Sequence, residues 1–278
     1  MPLVDRALWH IENRLSEPMT LEELAGQCAA SPYHLSRAFR SALGVSPIAY
    51  LRARRLSEAA RAIARGEDDI LSVALDAQYG SHEAFTRAFA ARFGVLPSTV
   101  RAARSTADLD LKEPTEMDHS RLIDVPPPRF EDHPAFDVVG LSLSCTHEQL
   151  SGIPTLWRRY AARLDALGED PEVTYGICHG FDDEGRFTYL SGSEARPGQA
   201  VPDGMERITV DAGFYAVFSH AGHISDIGRT THTIWNRSLP DLGLEPRTAA
   251  EFERYDRRFD ARTGRGEVEI WIPVERAQ

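Results

Sequence analysis

What is missing from this 278-residue sequence narrows its class first. No run approaches the roughly 18 apolar residues of a membrane-spanning helix. The opening segment MPLVDRALWHIENRL lacks a basic stretch followed by an apolar one, so no secretory signal is expected. Cysteine is scarce: Cys28, Cys145 and Cys178 are scattered and odd in number, which excludes a disulfide framework and a zinc ribbon. That usage suits a reducing compartment, and the cytoplasm is the expected location. Catalytic signatures are missing too: no HExxH or HxxEH, no glycine-rich phosphate loop and no GxSxG elbow. His220 and His223 form HxxH, with His179 and His232 elsewhere in the sequence. The pair sits at a strand-to-helix turn, where that spacing does not assure ligand geometry, so neither metal nor cofactor is expected.

Charge is present but unevenly placed. The whole chain carries a net −11. Residues 1–105 hold 13 arginines against 11 acids, a net of +2, while the remainder has 18 basic and 31 acidic residues, a net of −13. The whole-chain value argues against nucleic acid, and the asymmetry between halves removes that objection for the first half.

The first half contains one sentence written twice. SPYHLSRAFRSALGVSP (31–47) and SHEAFTRAFAARFGVLP (81–97) align at a constant offset of 50, matching Ser31 to Ser81, Arg37 to Arg87, Phe39 to Phe89, Gly44 to Gly94 and Pro47 to Pro97. The surroundings read as helices throughout. Leu3, Ala7, Leu8, Ile11 and Leu15 recur at helical spacing. Thr20-Leu21-Glu22-Glu23 is a capping box, Ser31-Pro32 and Ser46-Pro47 are helix starts, and Gly44, Gly66 and Gly94 are stops. Each copy is a short helix, a turn and a second helix, the helix-turn-helix arrangement. In the second helices Leu35, Ala38, Phe39 and Leu43 match Phe85, Ala88, Phe89 and Phe93 as inward residues. Tyr33, Ser36, Arg37 and Arg40 are then predicted outward in the first copy, and His82, Glu83, Thr86 and Arg87 in the second. A recognition helix offers such side chains to base edges, and an arginine suits bidentate bonding to guanine. The connecting helix of about 19 residues spans about 28 Å, comparable to the ~34 Å recurrence of the major groove. On this helix Arg52, Arg54 and Arg55 cluster, to touch the DNA backbone or to form internal salt bridges.

Together, SPYHLSRAFRSALGVSPIAYLRARRLSEA and YGSHEAFTRAFAARFGVLPSTVR resemble the DNA-binding domain of the AraC/XylS transcription regulators. The resemblance implies two helix-turn-helix units binding an asymmetric promoter site in double-stranded DNA, with Tyr33, Ser36, Arg37, His82, Glu83, Thr86 and Arg87 as base-reading positions. It also implies RNA polymerase as a partner. The one departure is Gln78 before Tyr79, where the family often has glycine; Glu83 adds a negative charge near DNA, which fits a role in negative discrimination as well as one in contact.

Residues 106–119 (TADLDLKEPTEMDH) carry five acids and a proline and read as a linker. Beyond residue 120 the period shortens. FDVVGLSLSC, VTYGICHGF, GRFTYLSG, MERITV, FYAVFSHAG and EVEIWIPV read as strands, interrupted by helical patterns around Trp157 and Trp235. That makes a second internal duplication of a strand-helix-strand-strand unit. The half is rich in large rings, and aromatic walls with a buried acid suit an apolar cation. In a strand, Glu253 and Tyr255 share one side.

This half resembles the GyrI-like effector-binding domain through GLSLSCTHEQLSGIPTLWRRYAARL, YAVFSHAGHISDIG, EFERYD and VEIWIPV, and the combination resembles the Rob-type regulators. The expected fold is therefore multidomain: an all-α double helix-turn-helix domain (1–105), the linker (106–119), and an α+β GyrI-like domain of two β-α-β-β repeats (120–278). The implied effector is small, apolar or cationic, bound by Glu253 with Trp157, Tyr175, Tyr215, Trp235 and Tyr255 around it. The resemblance also admits a hydrolase acting through the same acid, and the residues alone admit a ligand-free contact domain. The attached DNA-binding half favours a regulator without enzymatic activity.

Overall fold

The computed structural model describes all residues except 67–68, 146, 165–170, 183–185, 197 and 277–278. Contacts divide it into two compact units, Leu3–Pro32 with Ser46–Met117, and Tyr33–Val45 with Asp118–Gln278. This division differs from the expected 1–105 and 120–278 at two places, and both have a physical reason.

The first unit contains α1 (Leu3–Asn13), α2 (Leu21–Gln27), α4 (Pro47–Arg65), α5 (Ile70–Asp76), α6 (His82–Phe93) and α7 (Pro97–Ala103). The helix limits follow the local chemistry. Thr20 accepts from the Glu23 backbone N–H and its own N–H donates to the Glu23 carboxylate, closing the capping box of α2. Ser46 and Ser81 cap α4 and α6, while Gly66 and Gly94 end them in the left-handed region at φ 72° and 72°. The core gathers Leu56, Ile63, Val73, Phe85, Phe89 and Val100, with Phe85 and Phe89 wholly buried.

Residues 106–117 do not behave as a linker. Leu109 and Leu111 pack on that core and Met117 is buried. The Lys112 backbone N–H donates to Ser57 Oγ at 2.8 Å, and the Thr115 N–H donates to the Tyr50 hydroxyl oxygen at 3.1 Å. Three apolar side chains among acids, with these two hydrogen bonds to α4, hold the strap down, a signal too sparse to read as a periodic element. Arg54, on α4, is buried in ion pairs with Glu12 and Glu58, and Arg55 donates to the Leu15 carbonyl. Both guanidinium groups are internal ties, and Arg52 is the exposed member of the cluster.

The second unit holds α3 (Pro32–Leu43) from Tyr33 onward, and an antiparallel sheet flanked by helices. Its strands are β1 (Arg129–His133), β2 (Phe136–Cys145), β3 (Thr174–His179), β4 (Phe187–Glu194), β5 (Glu206–Val210), β6 (Gly213–His223), β7 (Glu251–Tyr255), β8 (Phe259–Asp260) and β9 (Arg265–Pro273). Helix α8 (Ile153–Ala161) follows β2, and α9 (Ile227–Thr233) follows β6, continuing through a wide turn at Ile234–Ser238. Strand order is β1-β6-β9-β7-β3-β4-β2-β5, with β8 beside β9. The expected duplication is visible in this order. The unit β2-α8-β3-β4 is mirrored by β6-α9-β7-β9, and the two meet where β3 pairs with β7. Strands β1 and β5 extend the two outer edges.

Alternation along the strands divides the side chains between two faces. Phe136, Tyr175, Ile177, Tyr215, Val217, Phe252 and Trp271 pack together on one face. Register pairs Gly176 with Glu253 and Cys178 with Glu251, so these four lie on the other face. That face carries Leu141, Tyr189 and Phe187 against Leu156 and Tyr160 of the α8 side. His220 on β6 meets Thr230 of α9 there, at 2.7 Å.

Candidate functional site

Glu253 is a carboxylate held beneath aromatic rings. The Tyr189 and Tyr255 hydroxyls both donate to its Oε2 at 2.7 Å. Trp157 of α8 donates its indole N–H to the Tyr189 oxygen at 3.0 Å, and its ring meets Tyr255 edge-on at 5.0 Å. The chain of donors thus runs indole, phenol, carboxylate, with a second phenol alongside. Gly176 makes the arrangement possible: a Cβ there would lie 2.0 Å from the Tyr189 hydroxyl and 2.7 Å from Glu253 Oε2. Its backbone is simply extended, so the requirement is space.

Burial raises the Glu253 carboxyl above its ordinary range, opposed by the two phenolic hydrogen bonds that favour the ion. The same burial, with the Glu253 charge beside them, pushes Tyr189 and Tyr255 well above the usual phenol range. The Cys178 thiol is pushed up as well, by burial first and by Glu253 second, which leaves it a poor nucleophile. A group of this kind is an acid that rewards any positive charge brought to it.

The expected walls divide. Trp157, Glu253 and Tyr255 stand together. Tyr175 and Tyr215 do not join them: both belong to the opposite face, where they pack with Phe252 at 5.9 and 5.4 Å. Register is the reason, since Tyr175 pairs with Arg254 rather than Glu253. Trp235 is fully buried, and its ring meets side chains of α3. Tyr189, the residue that ties the cluster together, was not anticipated. Neither were Phe181 and Glu251.

Those last two residues engage α3. The Arg37 guanidinium lies over the Phe181 ring at 4.0 Å and the Trp235 ring at 5.0 Å, and is ion-paired with Glu251. Tyr33 meets Phe181 and Trp235 edge-on at 6.3 and 6.0 Å, and its hydroxyl donates to the Ala249 carbonyl. Arg40 donates to the Asp182 carbonyl at 3.1 Å, and Arg121 donates to the Ala42 carbonyl at 3.3 Å. His232, buried and held with its acidity shifted so as to stay neutral, bonds the Ser41 carbonyl. Arg37 is therefore only 9% exposed and Arg40 1%, with Tyr33 and Ser36 half-buried. The expectation that this face of α3 points to solvent is corrected: it is covered by Phe181, Trp235 and Glu251 and by the Ala249 and Asp182 carbonyls. In α6, His82, Glu83 and Arg87 are exposed and Thr86 is half-buried.

Known proteins agree with the two-part reading. The model of the GyrI-like small molecule binding domain matches residues 126–275, and a helix-turn-helix domain model matches 24–103. Transcriptional regulator Rob of Salmonella typhimurium is 28% identical over 98% of this chain and 97% of its own length. The right origin-binding protein of Escherichia coli K12 is 28% identical over the same shares. Transcriptional regulator BrlR of Pseudomonas aeruginosa is 37% identical over 52% of this chain and 54% of its own. Among the described residues no helix is long and apolar enough to cross a membrane. The chain belongs to the GyrI-like small-molecule-binding family, in the form where an AraC-type helix-turn-helix domain precedes that module, and is a transcription regulator of this type.

Proposed function

We propose that this chain is a one-component regulator that reads an asymmetric promoter site through α3 and α6 and responds to a small apolar or cationic effector bound at Glu253. The observation that carries the ligand half is the Glu253 carboxylate with two phenols and the Trp157 indole around it, inside a small-molecule-binding domain. Once α3 leaves the sheet, Tyr33, Ser36, Arg37 and Arg40 join His82, Glu83, Thr86 and Arg87 of α6 as the DNA-facing set, with RNA polymerase as the downstream partner. Glu253 acts in binding, because the relatives that match over the full length carry the names of regulators and origin-binding proteins.

The test is a thermal shift of the full chain with tetraphenylphosphonium and with neutral triphenylphosphine oxide. Stabilisation by the cation that Glu253→Gln removes supports the reading. Equal shifts for cation and neutral compound, unaffected by that substitution, overturn the role of Glu253.

A further inference from the structure

The Glu253 face of the sheet already holds a cation, the Arg37 guanidinium of α3. Glu251 and Glu253 lie on the same side of β7, about 7 Å apart along the strand. Phe181 packs in the same cluster as Trp157, Tyr189 and Cys178, which joins the Glu251 end of this face to the Glu253 end. Arg37 fills the Glu251 end with two ring faces and a carboxylate, as a flat organic cation would. We propose that Glu251, Phe181 and Trp235 form a second cation seat, continuous with the Glu253 site, and that an effector must displace Arg37 from it. DNA and effector are then coupled through one helix: α3 is either docked on the sheet or free to read bases, and an effector in the seat favours the free state. The proposal rests on the ligand-binding reading of Glu253 and narrows the effector to a cation with aromatic surface.

The energetics point the same way. Among the described residues, Arg37 Nε and Glu251 Oε2 are buried without a hydrogen-bond partner, so the docked pair is incompletely satisfied. Removing Arg37 alone leaves Glu251 buried and unpaired, which is costly, and a neutral ligand does nothing to relieve that. A cationic ligand restores the pairing as the helix leaves. The seat thereby selects for charge at the moment of release. Tyr33, edge-on to both seat rings, and Arg40, on the Asp182 carbonyl, leave with the same helix face.

Binding of tetraphenylphosphonium to the full chain, measured by calorimetry for the native protein, Arg37→Gln and Glu253→Gln, tests this. If the docked helix occupies the seat, the apparent affinity is reduced by the fraction of time the seat is free, so Arg37→Gln tightens binding by about tenfold or more. In the native protein, saturating tetraphenylphosphonium also makes Arg37 reactive to phenylglyoxal, read by mass spectrometry without any substitution. Equal affinities in native and Arg37→Gln protein, with binding lost in Glu253→Gln and Arg37 still unreactive, overturn the shared seat while leaving the sensor intact. Failure of both native and Arg37→Gln protein to bind overturns the sensor reading and the seat together.

Discussion

Helices α3 and α6 were written to one pattern and meet different fates. Each places an arginine at the same position, Arg37 or Arg87, behind a proline- or serine-started first turn and ahead of a left-handed glycine, Gly44 or Gly94. Arg87 is exposed, while Arg37 is buried against Phe181, Trp235 and Glu251. The difference lies in the neighbours on the outward face. Position 33 is tyrosine and position 83 glutamate; position 34 is histidine and position 84 alanine. Tyr33 and His34 both present rings to Trp235, where Glu83 and Ala84 could not. The repeat gives two helices of one pattern, and the difference at their first turns gives α3 a second surface to bind.

The largest expected effect separates the two arginines. Arg87→Ala weakens binding to a selected DNA site by about 1–3 kcal/mol and leaves tetraphenylphosphonium affinity unchanged. On the proposed reading, Arg37→Ala removes a base contact and the docked cation together, so its DNA loss is smaller than that of Arg87→Ala and its ligand affinity rises. Gel-shift titration paired with calorimetry reads both quantities; identical behaviour of the two variants breaks the comparison.

Next in size is the pH dependence. A carboxyl raised in the folded state binds its proton at a pH where the unfolded chain has already released it, so Glu253 subtracts stability as pH rises from its ordinary value through its raised one. Cation binding needs the ionised form. Tetraphenylphosphonium affinity therefore falls on acidification at a higher pH than an ordinary carboxylate would set, and the fall disappears in Glu253→Gln. A flat affinity between pH 4 and pH 8, on the order of the range spanned by a shifted carboxyl, contradicts the role given to Glu253.

How much of this was legible beforehand depends on whether the information is local. The caps at Thr20, Ser46 and Ser81 and the stops at Gly66 and Gly94 are written within a few residues, and the structure uses them. The pairing of Glu253 and Tyr255 on one side of a strand is equally local, and the two side chains meet. What alternation along one strand does not state is its register against the next. Tyr175 and Gly176 are equally good candidates for the Glu253 face until β3 is aligned to β7, and register placed Tyr175 on the other one. Tyr189 escaped for the same reason. It reaches Glu253 from β4, over a glycine whose significance appears only once the strands are side by side. The docking of α3 was hidden more deeply, since the residues that cover it lie about 140 to 220 positions away.

The smallest effects concern the two turns. Each has a non-glycine residue in the left-handed region, Ala29 at φ 49° and Gln78 at φ 64°. That conformation costs an L-residue about 1–2 kcal/mol, part of which glycine recovers against its greater freedom when unfolded. Ala29→Gly is expected to stabilise by roughly 0.5 kcal/mol. Gln78→Gly gains less, because its amide donates to the Ser16 carbonyl and that bond is lost. Denaturant melts of both variants give the ordering; a larger gain at position 78 contradicts it.

The asymmetry between the copies is tested most directly on the native chain. Phenylglyoxal modification, followed by peptide mass spectrometry over time, reports each arginine separately with no DNA, ligand or substitution present. The account predicts that Arg87 reacts at the rate of exposed arginines such as Arg52 while Arg37 and Arg40 are protected. Equal reactivity of Arg37 and Arg87 would mean that α3 is as free as α6, and the shared-helix account would fall.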